Sequence, residues 1–307
     1  MAPDRNLIVI VGPTAVGKTA LATSLARVMN SEILSADSRQ VYKELNVGTS
    51  KPTLDEMRQV VHHFVSTHSI RDRFTVFDFA RESHELLSRI YQKMTVAFLV
   101  GGSGLFVDAV VNGMDELPDV AGDIREDLNK QMQQGGVEML FAKLSKLDPD
   151  YAEVVDEKNP RRIIRALEVC LGTGKPFSSF LGQSRNKPDY EVCKIGLEIP
   201  RDTLYERINE RVDKMVGEGL VEEVRGLSTY RELTSLRTVG YQEILEHFQG
   251  ILTLDEAIEK IKRNTRRYAK RQLTWFKRDD QIAWFQPHQE DLIRKHIENS
   301  LDIILNI

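Results

Sequence analysis

Residues 12–19 read GPTAVGKT, which has the spacing G-x-x-x-x-G-K-[ST] of a phosphate-binding loop. Glycines let backbone N–H groups approach a polyphosphate, because no Cβ stands in the way. Lys18 supplies a positive charge, and the hydroxyl of Thr19 can hold Mg²⁺. The pattern predicts a phosphorylated ligand, but it does not identify that ligand as a nucleotide or indicate hydrolysis. The residues predicted to bind it are Gly12, Pro13, Thr14, Ala15, Val16, Gly17, Lys18 and Thr19.

The residues on either side of this loop predict the elements that position it. The apolar run Leu7 to Val11 is typical of a buried strand, and Leu21, Leu25 and Val28 follow at helical spacing. A loop that opens a helix gains an N-terminus that favours anions. The alternative is a chance glycine-rich turn, and the strand before the loop and the helix after it argue against that.

A carboxylate is predicted to lie beside the loop. A second short strand, Ile33 to Ala36, ends on Asp37, and residues past the carboxyl ends of such strands line the ligand crevice. Asp37 could bind magnesium, cap the next loop or act as a base. A third strand, Val96 to Val100, ends in glycines, whereas phosphate-loop NTPases commonly hold Mg²⁺ through an acid there. This difference disfavours a motor or switch protein.

Composition limits the class of protein. The chain has 307 residues, 41% of them hydrophobic and 29% charged, which is typical of a globular protein with room for a second domain. No apolar run is long enough to span a membrane, and residues 1–6 lack the pattern of a signal peptide. Two cysteines, Cys170 and Cys193, are too few for a disulfide framework or a cysteine-rich metal site. We expect a cytoplasmic protein.

The predicted secondary structure changes in the middle of the chain. Strand-like runs disappear between about Pro118 and Pro188, and short polar helices with Gly-Gly, Asp-Pro and Asn-Pro breaks replace them. After this helical region a strand is predicted at Val192 to Ile199, and Asp202 is expected to cap the helix that follows. The predicted fold is α/β, a P-loop core with three layers around a parallel sheet. It comprises residues 1–117 and 189–307, and residues 118–188 form a small all-helical insertion domain.

A long helix is predicted from about Leu254 to Lys277, and it is strongly basic. Between Lys260 and Arg278 there are nine Lys or Arg and no Asp or Glu, although the net charge of the chain is −4. Like charges on one helix repel each other, so the arrangement favours a polyanion partner over a merely solvated face. A smaller basic group lies inside the insertion, where it comprises Arg161, Arg162 and Arg165.

These motifs together resemble the tRNA dimethylallyltransferase family. The matching segments span nearly the whole chain in the family's order, and they include the pair His62-His63. The longer ones are GPTAVGKT (12–19), SADSRQVY (35–42), VGGSGLF (100–106), NPRRIIRALEV (159–169), SLRTVGY (235–241) and RRYAKRQLTWF (266–276). Departures are mild: Ser103 and Phe106 stand where many members have Thr and Tyr. The zinc finger of eukaryotic members is absent, which indicates a bacterial-type enzyme.

The resemblance implies a substrate and four catalytic residues. The ligand of the loop would be dimethylallyl diphosphate, with Mg²⁺ at Thr19 as the cofactor. Lys18, Thr14 and Arg237 would stabilise the charge that grows on the departing diphosphate. Asp37 would be the general base that accepts a proton from N6 of an adenosine next to the anticodon.

The resemblance also implies a tRNA partner, whose adenine must leave its stack to react. The insertion would close over the anticodon stem-loop, and the long basic helix would meet the RNA backbone. We expect a monomer with no membrane partner. The residues implied to contact tRNA are Asp37, Ser38, Arg39, Gln40, Ser103, Arg125, Arg161, Arg162, Ile163, Ile164, Arg165, Arg266, Arg267 and Lys270.

Three alternatives stay open. In a small-molecule kinase, Asp37 would orient an acceptor hydroxyl and the insertion would be an ATP lid, but the basic helix would have no use. A non-catalytic, GTPase-like RNA-binding module is disfavoured by the missing acid at the strand end. A free-nucleotide isopentenyltransferase would share the loop and Asp37 without needing an anticodon grip.

Overall fold

The computed structural model describes residues 5–182 and 189–303. Its elements alternate between strands and helices in the way that typifies an α/β protein. The strands are β1 (Asn6–Val11), β2 (Ile33–Ala36), β3 (His62–His63), β4 (Val96–Gly101), β5 (Glu191–Leu197) and β6 (Ala283–Phe285). The helices are α1 (Lys18–Val28), α2 (Leu54–Gln59), α3 (Val76–Ile90), α4 (Gly104–Val111), α5 (Gly122–Leu147), α6 (Pro149–Val154), α7 (Pro160–Thr173), α8 (Arg201–Gly217), α9 (Leu220–Gly226), α10 (Tyr241–Phe248), α11 (Leu254–Phe276) and α12 (Glu290–Leu301).

The six strands form one parallel sheet in the order β3-β2-β4-β1-β5-β6. All six residues of the central strand β1 are buried, as expected for a parallel strand covered on both faces. Its side chains alternate between two hydrophobic cores. Leu7 and Val9 pack into a core with residues of α3, α4, α10 and α11, whereas Ile8 and Ile10 pack with residues of α1 and α12. The predicted three-layer α/β core is confirmed.

Packing divides the chain into two compact units, Met1–Val111 with Pro188–Ile307, and Asn112–Lys187. The first unit contains the whole sheet. The sequence predicts an insertion at residues 118–188, whereas the second unit comprises residues 112–187.

The second unit is helical and has a hydrophobic core of its own. In that core α5 packs on α7, with fully buried side chains that include Leu128, Leu144 and Leu167. The backbone of α5 leaves the helical region at Gly136 (φ 74°, ψ −177°), at the Gly-Gly pair where the sequence predicts a break.

The prediction for the start of α8 is wrong, and eight elements are absent from the sequence prediction, among them the short elements β3, α2, α4 and α6. The N-cap of α8 is Pro200 in place of Asp202, which lies in the first turn, where an acid still complements the helix dipole. The other unpredicted elements are β6, α9, α10 and α12. Among the described residues no helix is both long enough and apolar enough to cross a membrane.

Candidate active site

The phosphate-binding loop connects the carboxyl end of β1 with the first turn of α1. Gly12 has φ 148°, and a Cβ at this position would lie 2.6 Å from the carbonyl oxygen of Leu197. Gly17 has φ 105° and precedes the first residue of α1. Glycine is therefore required at the start of the loop by close packing as well as by backbone angle. The local structure agrees with the strand–loop–helix pattern predicted from sequence.

The loop opens into a cavity of about 330 Å³. Asp37 lines the same cavity, so the predicted proximity of this carboxylate to the loop is present in the structure. The remaining walls come from β2, from the residues around α2, from the glycine turn after β4, and from α8 and α11. The lining residues that bear on function are Thr14, Ala15, Gly17, Lys18, Thr19, Ser35, Asp37, Gln40, Gly102, Arg211, Tyr268 and Gln272.

The side chain of Asp37 holds the loop that follows it. Its Oδ1 accepts hydrogen bonds from the backbone N–H groups of Arg39 (2.8 Å) and Gln40 (3.3 Å). Both of the hydrogen bonds that the described residues donate to this carboxylate end on Oδ1, so Oδ2 remains available. Asp37 therefore caps a turn, and it can still accept a proton through its second oxygen.

Lys18 lies at the C-terminal end of the loop and is partly buried. Nζ donates to the carbonyl oxygens of Gly12 (3.0 Å) and Pro13 (2.8 Å). Burial lowers the pKa of Lys18 to about 8; Asp37 opposes this shift, and the guanidinium of Arg211 adds to it. An anion in the cavity would reverse the effect of burial, because it favours the charged ammonium group.

Arg211 of α8 is the arginine of this cavity, and Arg237 is not. The guanidinium of Arg211 is partly buried near Asp37, and its Nη2 lies 3.4 Å from the carbonyl oxygen of Thr49. Arg237 follows a short 3₁₀ turn, its side chain is 64% exposed, and the acid nearest to it is Glu232 at 4.0 Å. Arg237 does not line the cavity. The role of Arg237 on the diphosphate stays a prediction from sequence, and Arg211 is the arginine that lines the cavity beside Asp37.

Two further lining residues come from α11 and were not predicted as site residues. Tyr268 lies near Asp37, and burial raises the pKa of its hydroxyl to about 12. Gln272 is buried and joins two parts of the wall. Its Oε1 accepts from the N–H of Thr14, and its Nε2 donates to the carbonyl oxygen of Gly102, both at 2.9 Å.

The residues predicted to hold the adenine lie on the turn after β2. The amide Nε2 of Gln40 donates to the carbonyl oxygens of Thr49 (3.3 Å) and Ser50 (3.1 Å), and its Oε1 accepts from Ser35 (3.0 Å). The N–H of Ser38 donates to the hydroxyl of Ser103 (3.0 Å). Asp37, Gln40 and the two serines are thus brought together, with Arg39 between them on the same turn.

The basic helix α11 carries fewer unpaired charges than its sequence suggests. Lys260 forms an ion pair with Glu246, and Lys262 lies 2.8 Å from Asp213. Arg266 donates to Asn209 (2.7 Å) and approaches the ring of Tyr205. The exposed basic side chains in the middle of this helix are Arg263, Arg267, Lys270 and Arg271.

Within the insertion the predicted tRNA contacts divide into two groups. Arg161 and Arg162 are exposed, whereas Arg125 and Arg165 form ion pairs with the buried carboxylate of Glu168. The side chains of Ile163 and Ile164 lie in the hydrophobic core of the insertion. On α7 these two side chains face inward because they carry the apolar stripe of the helix, so the tRNA contact predicted for these residues would have to be made by their backbone.

The sequence and the fold were then compared with those of known proteins. A family model described as IPP transferase matches residues 40–279. The tRNA dimethylallyltransferase of Christiangramia forsetii is 48% identical over 92% of this chain and 94% of its own length. The tRNA dimethylallyltransferase 1 of Bacteroides thetaiotaomicron is 45% identical over 95% of each chain.

Solved structures agree with the sequence comparisons. The full-length tRNA isopentenylpyrophosphate transferase of Bacillus halodurans has a TM-score of 0.72 and 40% identity, and the match covers 97% of each chain. A eukaryotic dimethylallyltransferase acting on tRNA has a TM-score of 0.76 at 26% identity, over 89% of this chain and 70% of that one. Since the family model matches most of the chain and the relatives are similar over nearly all of it, the chain belongs to the IPP transferase family.

Proposed function

We propose that the protein transfers a dimethylallyl group from dimethylallyl diphosphate to N6 of the adenosine on the 3′ side of the anticodon of tRNA, releasing diphosphate. One observation carries the proposal: a phosphate-binding loop and a carboxylate with an available oxygen line a single cavity, together with two partly buried cations, Lys18 and Arg211. Loop and cations suit a diphosphate leaving group, and the carboxylate suits an amine nucleophile.

The residues of the cavity divide the reaction between them. The lone pair of N6 forms a bond to C1 of the prenyl group while the bond from C1 to the diphosphate oxygen breaks. Negative charge then grows on the diphosphate, where Lys18, Arg211 and the N–H groups of the loop can stabilise it. Asp37 takes the proton that N6 loses through its Oδ2. Removal of that proton matters because the amine of adenine is a weak nucleophile.

Mg²⁺ is the proposed cofactor. The hydroxyl of Thr19 lines the cavity, and an oxygen donor of this kind fits a magnesium ion that keeps several of its waters. When bound, the ion would supply charge neutralisation for the diphosphate.

The tRNA would be held by residues of both units. Ser38, Arg39 and Gln40 follow Asp37 on one turn and Ser103 is hydrogen-bonded to Ser38, which supports a role for these residues in holding the unstacked adenine. The exposed cations of α11, Arg267 and Lys270 among them, would contact phosphates, as would Arg161 and Arg162 of the insertion.

The test is incubation of the protein with Mg²⁺, labelled dimethylallyl diphosphate and tRNA that lacks the modification. We expect label in tRNA, with the modified adenosine recovered after nuclease digestion, and no label in AMP offered as a free nucleotide. A parallel reaction with γ-labelled ATP distinguishes the kinase alternative. Phosphate transfer from ATP together with no prenylated RNA would contradict the proposal.

A further inference from the structure

The side chain of Gln272, from α11, packs against one end of the phosphate-binding loop. It spans the carboxyl ends of two neighbouring strands, since it accepts from Thr14 after β1 and donates to Gly102 after β4, each at 2.9 Å. The fit is tight, because a Cβ on Gly102 would lie 2.1 Å from Nε2 of this glutamine. The glutamine is 6% exposed. Its carboxamide is therefore a fixed part of the cavity wall.

The hydrogen bond from Thr14 removes one donor from the phosphate cradle. In the described part of the chain, the next three N–H groups of the loop, those of Ala15, Val16 and Gly17, donate no hydrogen bond to protein. These three lead into the N-terminus of α1, where phosphates are cradled. Thr14 precedes these three residues, on the side of the loop away from α1. A longer phosphate chain would reach the N–H of Thr14 next, but Oε1 of Gln272 already accepts its hydrogen bond.

The neighbouring strand β4 lacks the acidic residue that commonly helps to hold the metal of a bound triphosphate. In phosphate-loop NTPases an acid at a nearby strand end helps to hold the metal of the triphosphate. Here β4 runs beside β1 and ends in Gly101-Gly102, which carry no such acid. The space beyond these glycines contains the side chain of Gln272.

We propose that Gln272 is a specificity-determining residue that ends the phosphate cradle after two phosphates, so that the site accepts diphosphates and disfavours triphosphates. The inference deepens the proposed function and rests on it for the identity of the diphosphate as a prenyl diphosphate. The selection of chain length follows from the loop and the glutamine alone.

The experiment compares inorganic pyrophosphate with linear tripolyphosphate, both with Mg²⁺, by calorimetric titration of the full-length protein. The measured quantity is the ratio of the two dissociation constants, which cancels general changes in the charge of the site. Gln272→Ala and Gln272→Ser remove the carboxamide, so the N–H of Thr14 becomes available to a phosphate. We expect either to shift the ratio towards tripolyphosphate by about tenfold, as for one added hydrogen bond to a charged group. If one of them fails to fold, the other carries the test.

Two matched variants control this experiment. Gln272→Met fills the same space without polar atoms, so it should keep the preference of the parent for pyrophosphate. Thr274→Ala changes an exposed residue of the same helix and should leave the ratio unchanged. Folded Ala and Ser variants with the ratio of the parent would overturn the inference, as would a Met variant that shifts as far as Ala. A parent that selects pyrophosphate but never prenylates tRNA would contradict only the proposed function.

Discussion

At the scale of single residues, Asp37 has a structural contact on one carboxylate oxygen and a proposed catalytic role on the other. Oδ1 holds the turn that carries Arg39 and Gln40, and Oδ2 is available to a substrate. Replacement by Ala would remove both at once, and a slow variant could then reflect a misplaced turn. Asparagine separates them, because its carbonyl oxygen can still accept from the turn while its amide cannot accept a proton.

We predict that Asp37→Asn keeps the melting temperature of the parent and binds tRNA and pyrophosphate with nearly unchanged affinity. Its single-turnover rate should fall by about 10²-fold or more, the usual range for general acid–base catalysis. Asp37→Ala serves as the comparison and should also lose affinity for tRNA, since its turn loses two hydrogen bonds. An Asn variant with the rate of the parent would remove Asp37 from the role of base.

Lys18 makes binding of the diphosphate dependent on pH. Burial lowers its pKa to about 8, so the free protein loses this proton as pH rises through 8. Bound diphosphate favours the ammonium form, and binding above pH 8 must therefore take up a proton. We predict that affinity for pyrophosphate is lost as pH rises above 8, at up to about tenfold per pH unit. Calorimetry in buffers of different ionisation enthalpy measures the proton uptake directly.

Lys51 provides a matched control for that experiment. Burial lowers its pKa to about 8 as well, but its Nζ donates to the carbonyl oxygen of Tyr42 (2.7 Å), and it does not line the cavity. Lys51→Met should therefore retain the pH dependence, whereas Lys18→Met should retain only the part that belongs to pyrophosphate itself. Identical pH profiles for the parent and Lys18→Met would contradict the prediction.

The two arginines can be compared directly. We predict that Arg211→Gln weakens binding of pyrophosphate by about tenfold or more, because a partly buried charged donor is lost from the cavity. Arg237→Gln should leave that affinity unchanged, since this side chain is mostly exposed and lies outside the cavity. Titration of both variants beside the parent checks this. A larger effect at Arg237 would support the prediction made from sequence.

At the scale of elements, the sequence predicts what is contiguous. The unit of β1, loop and α1 was predicted closely because strand, turn and helix signals follow one another within residues 6–28. Arg211 and Gln272 reach the cavity from α8 and α11, and no local signal says that these helices pack over the loop. One signal was present for Gln272, which lies four residues from both Tyr268 and Phe276 on an otherwise apolar stripe. A polar residue on such a stripe calls for a buried partner.

Short elements were missed for a related reason. The strand β6 has three residues, and it exists because Ala283 to Phe285 pair with the end of β5. A segment of this length has no periodicity to detect, so only tertiary pairing defines it.

The helix α9 fixes the loop between β2 and α2 through one carboxylate. Glu223 accepts hydrogen bonds from the N–H groups of Asn46 (3.0 Å), Val47 (2.9 Å) and Gly48 (3.2 Å), and from the hydroxyl of Tyr241 (2.6 Å). The same loop supplies the carbonyl oxygen of Thr49, to which Gln40 and Arg211 both donate. The positions of Gln40 and Arg211 in the cavity thus depend in part on Glu223, which does not line the cavity itself.

We predict that Glu223→Gln lowers the free energy of unfolding by about 1–3 kcal/mol, because an amide cannot accept all four of these hydrogen bonds. It should also lower kcat/KM for tRNA, since Gln40 loses a fixed partner. Urea unfolding and steady-state kinetics measure the two effects. The adjacent Glu222→Gln, exposed on the same helix, is the control. Reduced stability with the kcat/KM of the parent would show that the hydrogen bonds of Glu223 support the fold but not catalysis.

At the scale of the whole molecule, two units each bury a core of their own, and the cations predicted to meet RNA are divided between them. A net charge of −4 does not attract RNA, so binding must rely on local clusters such as Arg161 with Arg162 and the exposed face of α11. The residues proposed to hold the diphosphate, in contrast, all belong to the α/β unit. Affinity for the two substrates should therefore be separable by mutation.

Leu167 tests that separation, because it is fully buried in the core of the insertion. We predict that Leu167→Ala destabilises the insertion by about 2–5 kcal/mol, the usual cost of a large cavity in a core. Hydrogen exchange should rise within residues 112–182, and affinity for tRNA should fall, whereas affinity for pyrophosphate should stay that of the parent. Leu171→Ala, on the exposed side of the same helix, should change none of these. If tRNA binds normally while exchange in the insertion is fast, the insertion does not grip RNA; if pyrophosphate binding falls as well, the two units are not energetically independent.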